Sequence, residues 1–100
     1  MADYRLTPRA KRDLADIWRT IAIDNESAAD RLIGRFFDKF ALAAVHPEMG
    51  PPRPEIAANA RLIIEGRYLA IYEPTLYGVL IVSVVHGARD PSHWLDDTDR

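Results

Sequence analysis

Apolar residues recur with two periods along this chain, and the change of period divides it into three parts. Tyr4-Arg5-Leu6 alternates as a short strand does, and Thr7-Pro8 ends it. Thr7 is a good N-cap and Pro8 suits the first helical position, where a missing N–H costs nothing. Ala10, Leu14, Ile17, Trp18 and Ile21 then repeat every three or four residues, which predicts a helix over 8–23 with one buried stripe and Trp18 in the core. Arg9, Lys11, Arg12, Asp13, Asp16 and Arg19 fall on its other face. Ser27 followed by Asp30 reads as a capping box, opening a second helix over 27–45. Its stripe is Ala29, Ile33, Phe36, Phe40 and Ala43, widened by Leu32 and Phe37, and His46-Pro47 stops it. So short a link between the helices predicts an antiparallel hairpin.

Residues 48–60, with Gly50, Pro51, Pro52 and Pro54, read as a stiff exposed connection. The period then drops to two. Residues 61–64 and 68–72 are strands about a tight turn at Glu65-Gly66, where glycine supplies a positive φ. A second turn spans 74–78. Residues 79–85 are apolar on both faces except for Ser83, which marks a central strand with the N-terminal strand beside it. The expected order is β-α-α-β-β-β, an α+β fold in which a helix hairpin packs on a small, mostly antiparallel sheet. The whole of 1–100 is expected to form one domain, since the last forty residues cannot cover a sheet alone.

Composition narrows the function. The absence of cysteine excludes thiolate nucleophiles, thiolate metal sites and disulfides. No apolar run approaches the roughly 20 residues of a membrane span, and the charged N-terminus is no signal peptide, so a cytoplasmic location is expected, with no membrane partner. The net charge is −2 and the most acidic stretch is the last, so no basic surplus points to direct nucleic-acid binding. His46, His86 and His93 lack carboxylates at ligand spacing, so neither a metal nor another cofactor is expected. His46 reads as a residue favouring the helix C-terminal dipole. There is no GxSxG elbow to make a nucleophile of Ser83 or Ser92.

Two candidate sites remain. Arg61, Arg67, His86 and Arg89 flank or end neighbouring strands and could converge on a phosphate, as an RNA-cleaving site requires. The plainer reading pairs those arginines with Glu65, Glu73 and Asp90. The other candidate is the segment after the last strand, where Trp94 either packs back on the sheet or anchors a partner.

The run YRLTPRAKRDLADIW, Ala28-Ala29 opening the second helix, HPEMG closing it, RYLAIYE, and HGARD after the last strand together resemble the ParE toxins, in the RelE/ParE superfamily of type II toxin–antitoxin systems. The resemblance implies a toxin neutralised by a cognate ParD-like antitoxin and acting on DNA gyrase through its GyrA subunit, with no catalytic residue of its own. The implied alternative is a ribosome-dependent mRNA endoribonuclease of the RelE type using Arg61, Arg67, His86 and Arg89. The second half holds no lysine, and Trp94-Leu95 stands where that branch places a tyrosine, which favours the gyrase branch. Arg89, Pro91, Ser92, His93, Trp94 and Leu95 are then the expected target-binding residues. The antitoxin is expected to lay an amphipathic helix in an apolar groove, or to add a strand at a sheet edge.

Overall fold

The computed structural model describes residues 2–87. In chain order it contains β1 (Asp3–Leu6), α1 (Pro8–Ala22), α2 (Glu26–Val45), β2 (Arg61–Glu65), β3 (Tyr68–Thr75) and β4 (Gly78–His86). The strands form one sheet in the order β1-β4-β3-β2, with β1 parallel to β4 and the other pairs antiparallel. Both helices lie on one face of that sheet. The α+β architecture and the place of the N-terminal strand are as the sequence predicts.

Local chemistry accounts for the boundaries. Thr7 Oγ1 accepts from Ala10 N–H at 3.0 Å and so caps α1. The same hydroxyl donates to Val82 O at 2.7 Å, tying the helix start to β4. The cap of α2 is a correction to the sequence reading: Asn25, not Ser27, accepts from Ala28 N–H. Asp30 accepts instead from Trp18 Nε1–H at 2.8 Å. Trp18 is therefore half-buried where the helices meet rather than in the core, because its indole N–H needs an acceptor that the apolar layer lacks.

The Gly66-Arg67 turn has positive φ only at its first residue (58°), as a type II′ hairpin requires. Gly78 follows the second turn at φ 141°, and a Cβ there would lie 2.0 Å from Asp3 O. Only glycine lets β1 come alongside at that point. Partway along β4, Ile71 pairs with Ser83 but Tyr72 pairs with Ile81, so Val82 is an extra residue in a bulge. Val79, Ile81 and Val84 consequently face the helices, while Leu80, Val82 and Val85 face the other way.

Between helices and sheet lie Ala10, Leu14, Leu32, Phe36, Phe40, Ala43, Ile63, Tyr72 and Ile81, all buried. A smaller cluster on the opposite face joins Leu62, Ile71, Val82 and Val85 to Ala60, with Ile56 and Ala57 packed on it. Most of 48–60 is exposed as expected, but Ile56, Ala57 and Ala60 pack back on the sheet. Pro52 bridges Arg61, and Leu62 N–H donates to Pro51 O at 3.1 Å. The proline-rich loop thus covers apolar sheet surface and β2's outer edge.

Candidate functional site

The two ends of the sheet differ. At one end β2 begins, β3 finishes and α2 stops. Tyr72, fully buried, donates its hydroxyl to Pro47 O at 2.8 Å and accepts from Gly50 N–H at 2.9 Å. Burial pushes the phenol above its ordinary pKa, against the Gly50 hydrogen bond and the nearby Arg61 charge. Arg61 Nη1 donates to Glu48 O at 3.0 Å and Gly50 O at 2.7 Å. A Cβ on Gly50 would lie 2.2 Å from Leu62 O and 2.9 Å from the Tyr72 ring, so the turn closes only around a glycine. Beside this network is an open cleft of about 760 Å³ whose lining includes His46, Glu48, Asn59, Arg61 and Thr75. Thr75 Oγ1 is buried there and, among the described residues, has no hydrogen-bond partner.

The other end carries the Gly66-Arg67 turn and the close of β4. Arg67 and His86 are exposed, and the His86 ring meets Tyr68 edge-on at 5.4 Å. Gly87 N–H donates to Arg67 O at 2.6 Å, holding the end of β4 against the turn. Glu65 accepts from Arg35 Nε at 3.0 Å and lies 3.2 Å from Lys39 Nζ, tying the hairpin to α2. Burial works to raise the Glu65 pKa, but the hydrogen bonds from Arg35 and Lys39 outweigh it and hold it below the ordinary value.

Asp13 completes this end. Its Oδ2 accepts from Ser83 Oγ–H and Val84 N–H, each at 3.0 Å, just past the bulge. The helical wheel places Asp13 on the polar face, whereas the structure uses it to cap the part of β4 that β1 does not reach. A groove of about 320 Å³ runs beside it between α1 and β4, lined by Arg9, Asp16, Thr20, Tyr68 and His86 among others.

The proposed cationic cluster is therefore divided. Arg67 and His86 share one end, but Arg61 pairs with Tyr72 while Glu65 pairs with Tyr68, four residues along β3. At roughly 3.3 Å per residue, Arg61 begins about 13 Å from the other two. Its guanidinium also holds the loop carbonyls instead of facing a shared pocket. Glu65, one of the acids expected to pair with a strand arginine, takes α2's cations instead. Arg89, Pro91, Ser92, His93, Trp94 and Leu95 lie outside the described residues. His46 is the C-cap of α2, in keeping with its expected position at the helix end. Among the described residues no group of three or more His, Asp or Glu is placed to hold a metal ion, and no helix is long and apolar enough to cross a membrane.

Sequence reasoning missed Asp13, Gly50 and Tyr72. Of these only Tyr72 carries a signal: a tyrosine that follows the apolar run 69–71 must, once buried, find a partner for its hydroxyl.

Comparison with known proteins adds two findings. A family model described as the ParE toxin of the type II toxin–antitoxin system parDE matches residues 4–91. Among solved structures, one described as a chromosomal ParDE toxin–antitoxin system from P. aeruginosa superposes with a TM-score of 0.70 at 15% identity, covering 86% of this chain and 96% of that one. At that identity the likeness speaks for the fold. A search among curated protein sequences gives no significant match.

Proposed function

The chain belongs to the ParE toxin family of type II toxin–antitoxin systems, and from that premise we propose that it inhibits DNA gyrase, through GyrA, by binding and not by breaking bonds. A ParD-type antitoxin is its proposed neutralising partner, and the bacterial cytoplasm its proposed place of action. Arg61 carries the choice of binding over RNA cleavage. Its Nη1 is committed to the Glu48 and Gly50 carbonyls, far from Arg67 and His86. A cleaving site needs preorganised cations around one phosphate, and of the proposed cluster the described residues bring only Arg67 and His86 to one sheet end.

A gyrase poison needs a surface that holds the cleaved enzyme–DNA state more tightly than the resealed one, which shifts the population between them. We assign that surface to Arg89, Pro91, Ser92, His93, Trp94 and Leu95, the segment that continues from the exposed end of β4. The tail offers a charge, a histidine and a tryptophan within seven residues, a composition suited to anchoring on a protein.

Purified toxin is assayed against gyrase supercoiling and, in parallel, for mRNA cleavage in a translation extract. Lost supercoiling with accumulated cleaved DNA, and intact message, is the expected result. Cleaved message with untouched gyrase would establish the endoribonuclease alternative. A chain ending at Asp90 is expected to lose gyrase inhibition while still binding the antitoxin, and undiminished inhibition would refute the assignment of the tail.

A further inference from the structure

The cleft beside the Tyr72 network holds polar groups that the packing of the sheet does not use. Thr75 Oγ1 is buried in its lining and, among the described residues, has no hydrogen-bond partner. A buried hydroxyl left unpaired is unfavourable, and one in the wall of a cleft can be completed by a bound group. Arg61 lines the same cleft. Its Nη1 is committed to the Glu48 and Gly50 carbonyls, which fixes the guanidinium plane. Among the described residues its Nε and Nη2 have no partner, and no carboxylate lies at ion-pair distance from it.

The opposite charge is close by. Glu48 also lines the cleft, and its backbone carbonyl is the one that Arg61 holds at 3.0 Å. The two charges therefore stand about one side chain apart without pairing. Val45 and His46 bring the C-terminal end of α2, with its partial negative charge, to the same wall. Val45 and Met49, 62% and 41% exposed, add apolar lining that the fold leaves open to water.

These groups select a ligand. A simple anion would gain Arg61 and Thr75 but meet Glu48 and the negative end of α2. A simple cation would gain Glu48 but meet Arg61. A small zwitterion with its two charges on neighbouring atoms suits both. Its carboxylate accepts from the remaining Arg61 N–H groups and from Thr75 Oγ1–H, and its ammonium donates to Glu48. An apolar side chain on the same molecule covers Val45 and Met49. We infer that the cleft at the C-terminal end of α2 binds a free α-amino acid with an apolar side chain. Its volume of about 760 Å³ lies within the ordinary range for small-molecule sites. The inference draws on the cleft alone and not on the proposed action against gyrase.

Isotope-labelled full chain is titrated with L-leucine, with N-acetyl-L-leucine, which lacks the ammonium, and with L-leucinamide, which lacks the carboxylate, following backbone amides by NMR. L-leucine is expected to shift the Met49, Asn59 and Thr75 amides with a Kd of about 1 mM or below, and each single-charge analogue to bind about tenfold more weakly. Thr75→Val should weaken leucine binding about fivefold. Glu48→Gln should remove the preference for leucine over N-acetyl-L-leucine. Should Thr75→Val not fold, Glu48→Gln, at an exposed position, decides. Unmoved cleft amides at about 10 mM leucine, equal binding of the three compounds, or tighter binding of either analogue would each overturn the proposal. So would undiminished leucine binding by folded Thr75→Val, or an undiminished preference in Glu48→Gln. Neither gyrase nor growth enters the readout, so failure here and failure of the toxin reading are distinguishable.

Discussion

The two ends of this sheet are built from similar residues for opposite purposes. Each has an arginine close to a β3 tyrosine, Arg61 with Tyr72 and Arg67 with Tyr68, and a turn that contains glycine. At the Arg61 end the polar groups point inward: Tyr72 and Arg61 grip the backbone of residues 47–50, and Gly50 has no room for a methyl group. At the Arg67 end the same kinds of group point outward, with His86 on Tyr68 and the two basic residues in solvent. An arginine beside a strand is thus no indication of a phosphate site until its donors are accounted for. The buried end fixes the shape of the sheet, and the exposed end is where the proposed target-binding segment begins.

The largest effect that would break this contrast is expected from Gly50→Ala. The new methyl group meets backbone and a buried ring, both unable to swing aside, so destabilisation of about 3 kcal/mol or more is expected by denaturant melt. A loss below about 1 kcal/mol would mean that the turn is not the rigid closure described. Tyr72→Phe comes next. It leaves Gly50 N–H and Pro47 O without their partner and should cost about 1–3 kcal/mol, with little change in the far-ultraviolet spectrum.

Glu65→Gln sharpens the comparison at the exposed end and has a pH signature. The folded-state pKa of Glu65 is depressed, so its stabilising contribution is present above the ordinary glutamate value near 4.5 and fades as pH falls through the lower folded value. Arg35 and Lys39 are about half exposed (52% and 41%), so solvent screening limits the contribution to about 0.5 kcal/mol. The difference in stability between the wild-type and Glu65→Gln chains should shrink between pH 6 and 3. A difference that grows on acidification would contradict the assigned sign. Arg67→Ala is expected to have the smallest effect, within about 0.5 kcal/mol, since its side chain is exposed in a turn.

How much of this was legible depends on which physical signal each residue carries. The helix stripes, the Thr7 cap, the Gly66 turn and the central position of the last strand all follow from periodicity and local chemistry, and they give the architecture. The Asn25 cap was missed because Ser27 and Asp30 present an equally good local pattern, and only the demand of Trp18 for an acceptor separates them. The cover provided by 48–60 was missed because proline-rich sequence looks the same whether or not it lies on a sheet. Asp13 has a polar-face position on any helical wheel, and its acceptors' partners are seventy residues away along the chain. Arg61 belongs to the same class: which carbonyls it meets depends on where α2 stops, and no spacing within the sequence encodes that. Of the candidate cations, Arg67 and His86 were legible as neighbours at the end of the last strand, whereas the separation of Arg61 from them was not.

Arg61→Ala, measured for both melting temperature and gyrase inhibition per folded molecule, tests the division between the two ends most directly. Losing the grip on Glu48 and Gly50 should lower the melting temperature by about 5–10 °C, on the scale of 4–8 °C per kcal/mol for a domain of this size. At 20 °C the folded variant should inhibit gyrase as the wild type does. An unchanged melting temperature with activity abolished would show that Arg61 works on the target, and would contradict the account.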